Sequence, residues 1–243
     1  CPPKALRKDI ATNGEQCVEI QLAYRPPFDW PLMLAFFRHR QMAGVEHITE
    51  HSYQRSILLD DCVGWFSLHP HKNKPALILR VSLSNFSYLN NVIIRIRRMF
   101  DLDADITLIH QQLSKHPILN QVIEQFPGLR LPGCWDIFEF SLRAILGQQI
   151  SVKAATTYAQ RISEKYGKYF QQLPEQIRLT FPKLEDLLNT DFDDLGLTGS
   201  RRATLQRWMQ YYAQHSELFS NYQSLEQLEQ QLCEIKGIGP WTV

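Results

Sequence analysis

The stretch Leu232-Cys233-Glu234-Ile235-Lys236-Gly237-Ile238-Gly239-Pro240-Trp241-Thr242-Val243 decides how the chain is read. An amphipathic helix runs into a Gly-Ile-Gly turn, and a second helix is expected to start near Pro240, since proline suits a first helical position. Glycines admit positive φ and let another backbone come close. The start of the following helix leaves N–H groups unbonded and partially positive, which binds phosphate without lysine or arginine. Ile238, between the glycines, is placed to plug the turn into a core. Two glycines also occur in turns that only connect helices, so the context decides: an isoleucine before Lys236, an apolar residue between the glycines, and Trp241 two residues after the second.

Upstream of this turn the texture is helical back to Pro132. Helices are expected over about Asp136 to Leu146, Ser151 to Tyr166, Leu184 to Asn189, Ser200 to Gln214 and Ser224 to Glu234, with Gly147, Gly167, Gly196 and Gly199 as stops or turns. Before Pro132 the period changes. Val18, Ile20 and Leu22 alternate with polar residues, and Tyr53 to Leu59, Val63 to His69 and Ala76 to Leu83 are strand candidates, the last two joined by a turn over Pro70 to Pro75. Asp29 is positioned to cap a helix at Trp30 and Pro31, and Leu32, Leu34, Phe36 and Phe37 give that helix an apolar side. Leu89, Val92, Ile93, Ile96 and Phe100 share one side of another. Arg95, Arg97 and Arg98 interleave with them, as a solvated face or one that meets DNA. The domains expected are a linker over residues 1–16, an α+β N-terminal domain with an antiparallel sheet and helices over 17–130, and an all-α domain over 131–243.

Bulk composition sets limits. The 243 residues are 44% hydrophobic and 21% charged, with a net charge of +1. That balance excludes binding of nucleic acid by a strong global field but leaves room for a few local contacts. No apolar run is long enough to span a membrane, and no basic-then-apolar signal segment opens the chain. The five cysteines include no CxxC pair, which points to reduced thiols rather than a disulfide framework or zinc site. His47 with His51, and His69 with His71, are spaced to share a metal but lack a surrounding ligand framework.

Several motifs in order resemble one family. Tyr24-Arg25-Pro26-Pro27-Phe28-Asp29-Trp30, then Phe100-Asp101-Leu102, then Leu129-Arg130-Leu131-Pro132-Gly133-Cys134-Trp135-Asp136 continuing to Arg143-Ala144-Ile145-Leu146-Gly147-Gln148-Gln149-Ile150-Ser151, then the Gly-Ile-Gly turn, are similar to the inducible alkylpurine glycosylases, DNA-3-methyladenine glycosylase II. The similarity spans about residues 17 to 243. It implies that the all-α domain is a helix-hairpin-helix glycosylase domain, incomplete at its C-terminus, and that the partner is double-stranded DNA carrying alkylated bases. Lyase members of the superfamily carry a Schiff-base lysine where this chain has Trp241, so a monofunctional enzyme is implied. A purine alkylated at N3 or N7 is cationic, which makes it a good leaving group and draws it to an aromatic face.

The resemblance also implies roles. Trp241, with Phe36 and Arg40 from the first N-terminal helix, would line the base pocket. Gln149, with Gln148 beside it, would be the wedge that fills the gap left by a flipped nucleotide; the best-studied members have an apolar residue at the position of Gln149. Alternatively, both glutamines simply finish a helix. Gly237 and Gly239, with the amide of Trp241 or Thr242, would hold phosphates. Carbonyls of Cys233, Ile235 and Ile238 would hold a monovalent cation; no cofactor is otherwise implied. The family's catalytic aspartate is expected beyond Val243, and Asp136, Glu139, Asp191, Asp193 and Asp194 read as cap or turn residues, so the 243-residue chain alone is expected to release no base.

Cys1-Pro2-Pro3-Lys4-Ala5-Leu6-Arg7-Lys8 resembles the tail of an AraC-type regulator, so either a fused regulator or a plain linker precedes residue 17. A cytoplasmic protein that reaches the nucleoid through DNA, with neither membrane nor obligatory protein partner, completes the expectation. The rival readings are a non-catalytic DNA-binding module, a glycosylase for another damaged base, and a hairpin that only packs.

Overall fold

Short strands, the central ones largely buried, build an antiparallel sheet. In the computed structural model, which describes residues 8–9, 17–215, 219 and 224–243, the strands are β1 (Lys8–Asp9), β2 (Val18–Ala23), β3 (Glu46–Ile48), β4 (Tyr53–Leu59), β5 (Cys62–Pro70) and β6 (Ala76–Leu83). Their order in the sheet is β1-β2-β6-β5-β4-β3. Because side chains alternate across a strand, Phe66 and Trp65 on β5 enter different clusters. Phe66 joins Leu68, Leu77 and Leu79 beneath α1 (Trp30–Arg38) and α2 (Leu89–Met99), which contribute Leu34, Phe37, Val92 and Ile96. Trp65 packs instead with Cys17, Leu173 and Ile177.

Those contacts decide the division of the chain. One unit is Cys1–Trp135 with Phe170–Arg178; the other is Asp136–Tyr169 with Leu179–Val243. The division falls at Trp135 rather than at the expected residue 130, because Trp135 packs on Phe66 with ring centroids 5.2 Å apart. Residues 170–178 return to the first unit because Leu173 and Ile177 cover Trp65. The expected linker lies largely outside the described residues, but Lys8 and Asp9 pair with Glu19 and Val18 as a short edge strand.

Local signals account for the helices. Asp29 accepts the Leu32 N–H at 2.9 Å, Asp136 that of Glu139 at 3.1 Å and Ser151 that of Ala154 at 3.2 Å; such caps contribute about 1 kcal/mol each. In the second unit α5 (Ile137–Leu146), α6 (Val152–Tyr166), α7 (Leu184–Leu187), α8 (Gly199–Gln214) and α9 (Leu225–Cys233) follow the expected order. Leu142 and Leu146 of α5, Ile162 of α6, and Leu205 and Trp208 of α8 are buried. Gly199 is not a stop: Thr198 caps α8 and Gly199 is its first residue. Two helices were not anticipated, α3 (Ile106–Leu113) and α4 (Pro117–Gln125). Only Ile106 among their residues is buried, so no core stripe marks them. The Asp105 cap and Pro117 at a first helical position were the available signals.

Candidate nucleic-acid interface

The hairpin lies wholly within the second unit. α9 ends at Cys233, and the following turn buries Ile235 and Ile238 while Lys236 stays exposed. Ile238 thus anchors the turn as its sequence position suggested. Gly237 has φ +103°, and a Cβ there would lie 2.1 Å from Thr204 Oγ1, so glycine is required on both counts. Gly239 differs. Its φ is outside the left-handed region, and a Cβ there would meet nothing within 4 Å. The second helix is represented by one turn, closed by Thr242 N–H to the Gly239 carbonyl at 2.8 Å and by Val243 N–H to the same oxygen at 3.3 Å.

This corrects one expected role. The Thr242 amide is engaged in that turn, so its N–H is not an open donor, and its hydroxyl accepts from Gln148. Among the described residues neither the Gly239 nor the Trp241 N–H is hydrogen-bonded. Those two groups form the open donor end of the hairpin. Trp241 is exposed. Of the three carbonyls proposed for a cation, that of Ile235 accepts the Ile238 N–H at 2.9 Å, while no described backbone N–H bonds to those of Cys233 or Ile238.

The turn between α5 and α6 stands against this hairpin. Gly147 ends α5, and Gln149 adopts φ +56°, an uncommon conformation for a residue with a Cβ, and is exposed. Gln148 points elsewhere. Its Nε2 donates to the Gly237 carbonyl at 2.8 Å and to Thr242 Oγ1 at 2.9 Å. Gln148 is therefore bound to the hairpin, and Gln149 alone of the pair projects freely.

Three residues that the sequence reading passed over hold this assembly from α8. Arg201 Nη2 donates to the Gln148 carbonyl at 2.5 Å, Thr204 underlies Gly237, and Arg207 Nη1 donates to the Lys236 carbonyl at 3.0 Å. Their i, i+3, i+6 spacing on one helix face was the legible signal.

In the first unit Phe36 and Arg40 line a cleft of about 400 Å³ with Leu32, Met33, His39 and Arg130. Phe36 belongs to α1, but Arg40 lies beyond its end, in a turn. The Arg40 guanidinium covers the Phe36 ring at 3.8 Å and donates to the Phe36 carbonyl at 3.0 Å. Arg130 is buried and donates to the carbonyls of Arg25, Pro27 and Asp101. Burial lowers its pKa from the usual arginine value, against the raising effect of Asp101 and Tyr24.

Other candidates resolve into structural roles. Arg95 donates to the Trp135 carbonyl at 3.1 Å and Arg97 pairs with Asp103, so neither presents an open cation to DNA. The singled-out carboxylates are engaged locally: Asp136 as a cap, Glu139 with Arg143, Asp191 on the Asp193 N–H, Asp193 with Arg202 and Asp194 with Lys165. Cys17, Cys62, Cys134 and Cys233 are free thiols. Among the described residues no group of three or more His, Cys, Asp or Glu is placed to hold a metal, and no helix is long and apolar enough to cross a membrane.

Comparison with known proteins follows the same division. Residues 19–136 match the AlkA N-terminal domain and residues 142–207 the HhH-GPD superfamily of base excision DNA repair proteins. The chain is 31% identical over 238 residues to a probable bifunctional transcriptional activator/DNA repair enzyme AlkA of Mycobacterium tuberculosis, covering 98% of this chain and 48% of that protein. It is 29% identical over 224 residues to DNA-3-methyladenine glycosylase 2 of Escherichia coli, covering 91% and 77%. The chain therefore spans about half the length of the first relative. A 3-methyladenine DNA-glycosylase from Archaeoglobus fulgidus superposes with TM-score 0.78 at 20% identity, over 92% of this chain and 76% of that one. A Clostridium acetobutylicum 8-oxoguanine glycosylase/lyase in complex with DNA superposes with TM-score 0.69 at 19% identity, over 98% and 76%. These two likenesses speak for the fold. With a match to the AlkA N-terminal domain over residues 19–136 and a match to the HhH-GPD superfamily over residues 142–207, the chain is similar along most of its length to HhH-GPD base excision DNA repair proteins.

Proposed function

We propose that the protein is a DNA glycosylase of the AlkA type that hydrolyses the N-glycosidic bond of alkylated purines in duplex DNA, without lyase activity and without a required cofactor. The observation that carries this reading is the exposed end of the hairpin. Trp241 is fully exposed and a Cβ at Gly239 meets nothing, so neither residue is held there by packing. The neighbouring N–H groups of Gly239 and Trp241 supply the donors a phosphate needs.

The chemistry follows from the leaving group. An alkylated purine carries positive charge, so an indole face holds it by cation–π attraction and stacking. Departure leaves an oxocarbenium-like sugar, which a carboxylate stabilises. Base access requires unstacking, which Gln149, projecting from the turn after α5, would assist from the minor groove. The carbonyls of Cys233 and Ile238, to which no described backbone N–H bonds, would hold a monovalent cation that would supply positive charge for a bound phosphate. Resemblance to the inducible alkylpurine glycosylases supports these assignments, and the named relatives of Mycobacterium tuberculosis and Escherichia coli support the reaction class.

The test is release of methylated purines from alkylated duplex DNA by the full-length protein. Release that declines on replacing Trp241 or Gly239 is the expected result. Duplex binding without release would favour a non-catalytic module, and release of oxidised bases alone would reassign the substrate.

A further inference from the structure

We infer that Gln148 is a positioning residue that latches the turn after α5 to the hairpin, so that a phosphate held at the hairpin steadies the backbone that presents Gln149. The inference rests on the function proposed above and assigns to Gln148 a task different from filling the gap in the stack.

The geometry is specific. A carbonyl oxygen only accepts, so the Gln148 side-chain atom 2.8 Å from the Gly237 carbonyl must be the amide nitrogen. That nitrogen carries two hydrogens; the second meets Thr242 Oγ1 at 2.9 Å. Both hydrogens are thus directed at the hairpin, at residues 89 and 94 positions away in sequence. The main chain of Gln148 is fixed as well, through Arg201 to its carbonyl. The next residue, Gln149, has φ +56°.

A left-handed residue without glycine persists only where its neighbours over-determine it. Here the neighbours are the Gln148 latch on one side and the Ser151 cap of α6 on the other. The hairpin has its own attachments to α8, through Thr204 beneath Gly237 and Arg207 at Lys236. It therefore keeps its place when the latch is cut, whereas the turn loses a restraint. The arrangement makes the presentation of Gln149 depend on the hairpin through the Gln148 side-chain amide.

The experiment compares Thr242→Val, Thr242→Ser and Gln148→Ala in the full-length protein. Amide hydrogen exchange is followed first, without DNA. Losing one hydrogen bond of about 1 kcal/mol should speed exchange across residues 147–151 about fivefold in Thr242→Val, although the substitution lies in the hairpin. Thr242→Ser keeps the hydroxyl and should exchange as the parent does. The same proteins are then bound to a duplex with 2-aminopurine beside an abasic-site analogue. Gln148→Ala should bind with little loss but unstack the reporter about fivefold less. Unchanged exchange at 147–151 in Thr242→Val overturns the latch. So does full unstacking by Gln148→Ala. A parent protein with coupled exchange that binds no duplex instead overturns the proposed function, and with it the use of the latch in unstacking.

Discussion

Gly237 rests directly on the side chain of Thr204: a Cβ added at 237 would lie 2.1 Å from Thr204 Oγ1, whereas one added at Gly239 would meet nothing within 4 Å. Two glycines one residue apart thus serve different ends. Gly237→Ala should lower the thermal midpoint, because it adds a clash to about 1–2 kcal/mol of left-handed backbone cost. Adding Thr204→Ala should recover only the clash. Gly239→Ala should leave the midpoint unchanged but weaken duplex binding by obstructing the approach to the open amides. Equal destabilisation by both would show that Gly239 also packs.

Gln149 stands at φ +56° with its side chain exposed. Gln149→Gly should relieve about 1–2 kcal/mol of backbone strain while adding about 0.5–1 kcal/mol of unfolded-state entropy. The net effect on urea unfolding is expected to be neutral to slightly stabilising. Base release should fall, since no side chain is left to enter the stack. Marked destabilisation would mean that Gln149 makes contacts the fold depends on.

The parts of the architecture with strong periods were legible. Tyr53–Leu59 and Ala76–Leu83 have the bounds expected of them as strand candidates, and the Asp29, Asp136 and Ser151 caps mark the helix starts. The Gly-Ile-Gly turn could be read because glycine and isoleucine there have separate, strong requirements. What could not be read depends on distance in sequence. Nothing local to Leu173 and Ile177 says that they cover Trp65, and nothing local to Gln148 says that its amide turns to Gly237 and Thr242 rather than outward with Gln149. The engagement of the Thr242 N–H is likewise set by the closing of a single turn onto Gly239.

Trp241 makes a direct test of function against stability. Being fully exposed, it should be replaceable by alanine with a change in stability within about 0.5 kcal/mol. Removing a cation–π contact of about 1–2 kcal/mol should slow release of a cationic methylated purine roughly five- to thirtyfold. Trp241→Phe should fall between. Single-turnover assays on methylated duplex measure this, and an alanine variant with parental rate would remove Trp241 from the pocket.

Glu46 and Arg55 form a buried ion pair at 3.0 Å, with the Tyr53 hydroxyl also donating to the Glu46 carboxylate at 2.5 Å. Both charged residues are almost wholly excluded from water. Arg55→Met should therefore cost about 3–5 kcal/mol, because it leaves a buried carboxylate without its counter-charge. Pairing it with Glu46→Gln should recover much of the loss. Denaturant unfolding of the single and double variants gives the coupling, and additive losses would contradict a shared network.

His69 gives the fold a pH dependence whose sign can be worked out. It lies on β5, partly buried, and burial lowers its pKa from the usual histidine value, with Glu19 opposing and Arg80 reinforcing the shift. The folded state therefore holds the neutral ring, while the unfolded chain takes up a proton once pH falls below about 6.5. The unfolded state then binds more protons, so stability falls as pH drops through that value and levels off only below the folded-state pKa. Glu19 and Arg80 face each other in register on β2 and β6, so each can be removed separately. His69→Gln should flatten the decline in urea midpoint between about pH 7 and pH 5. Glu19→Gln should steepen it by removing the carboxylate that favours the protonated ring, and Arg80→Gln should soften it. A slope unchanged in His69→Gln would assign the acid sensitivity to other groups.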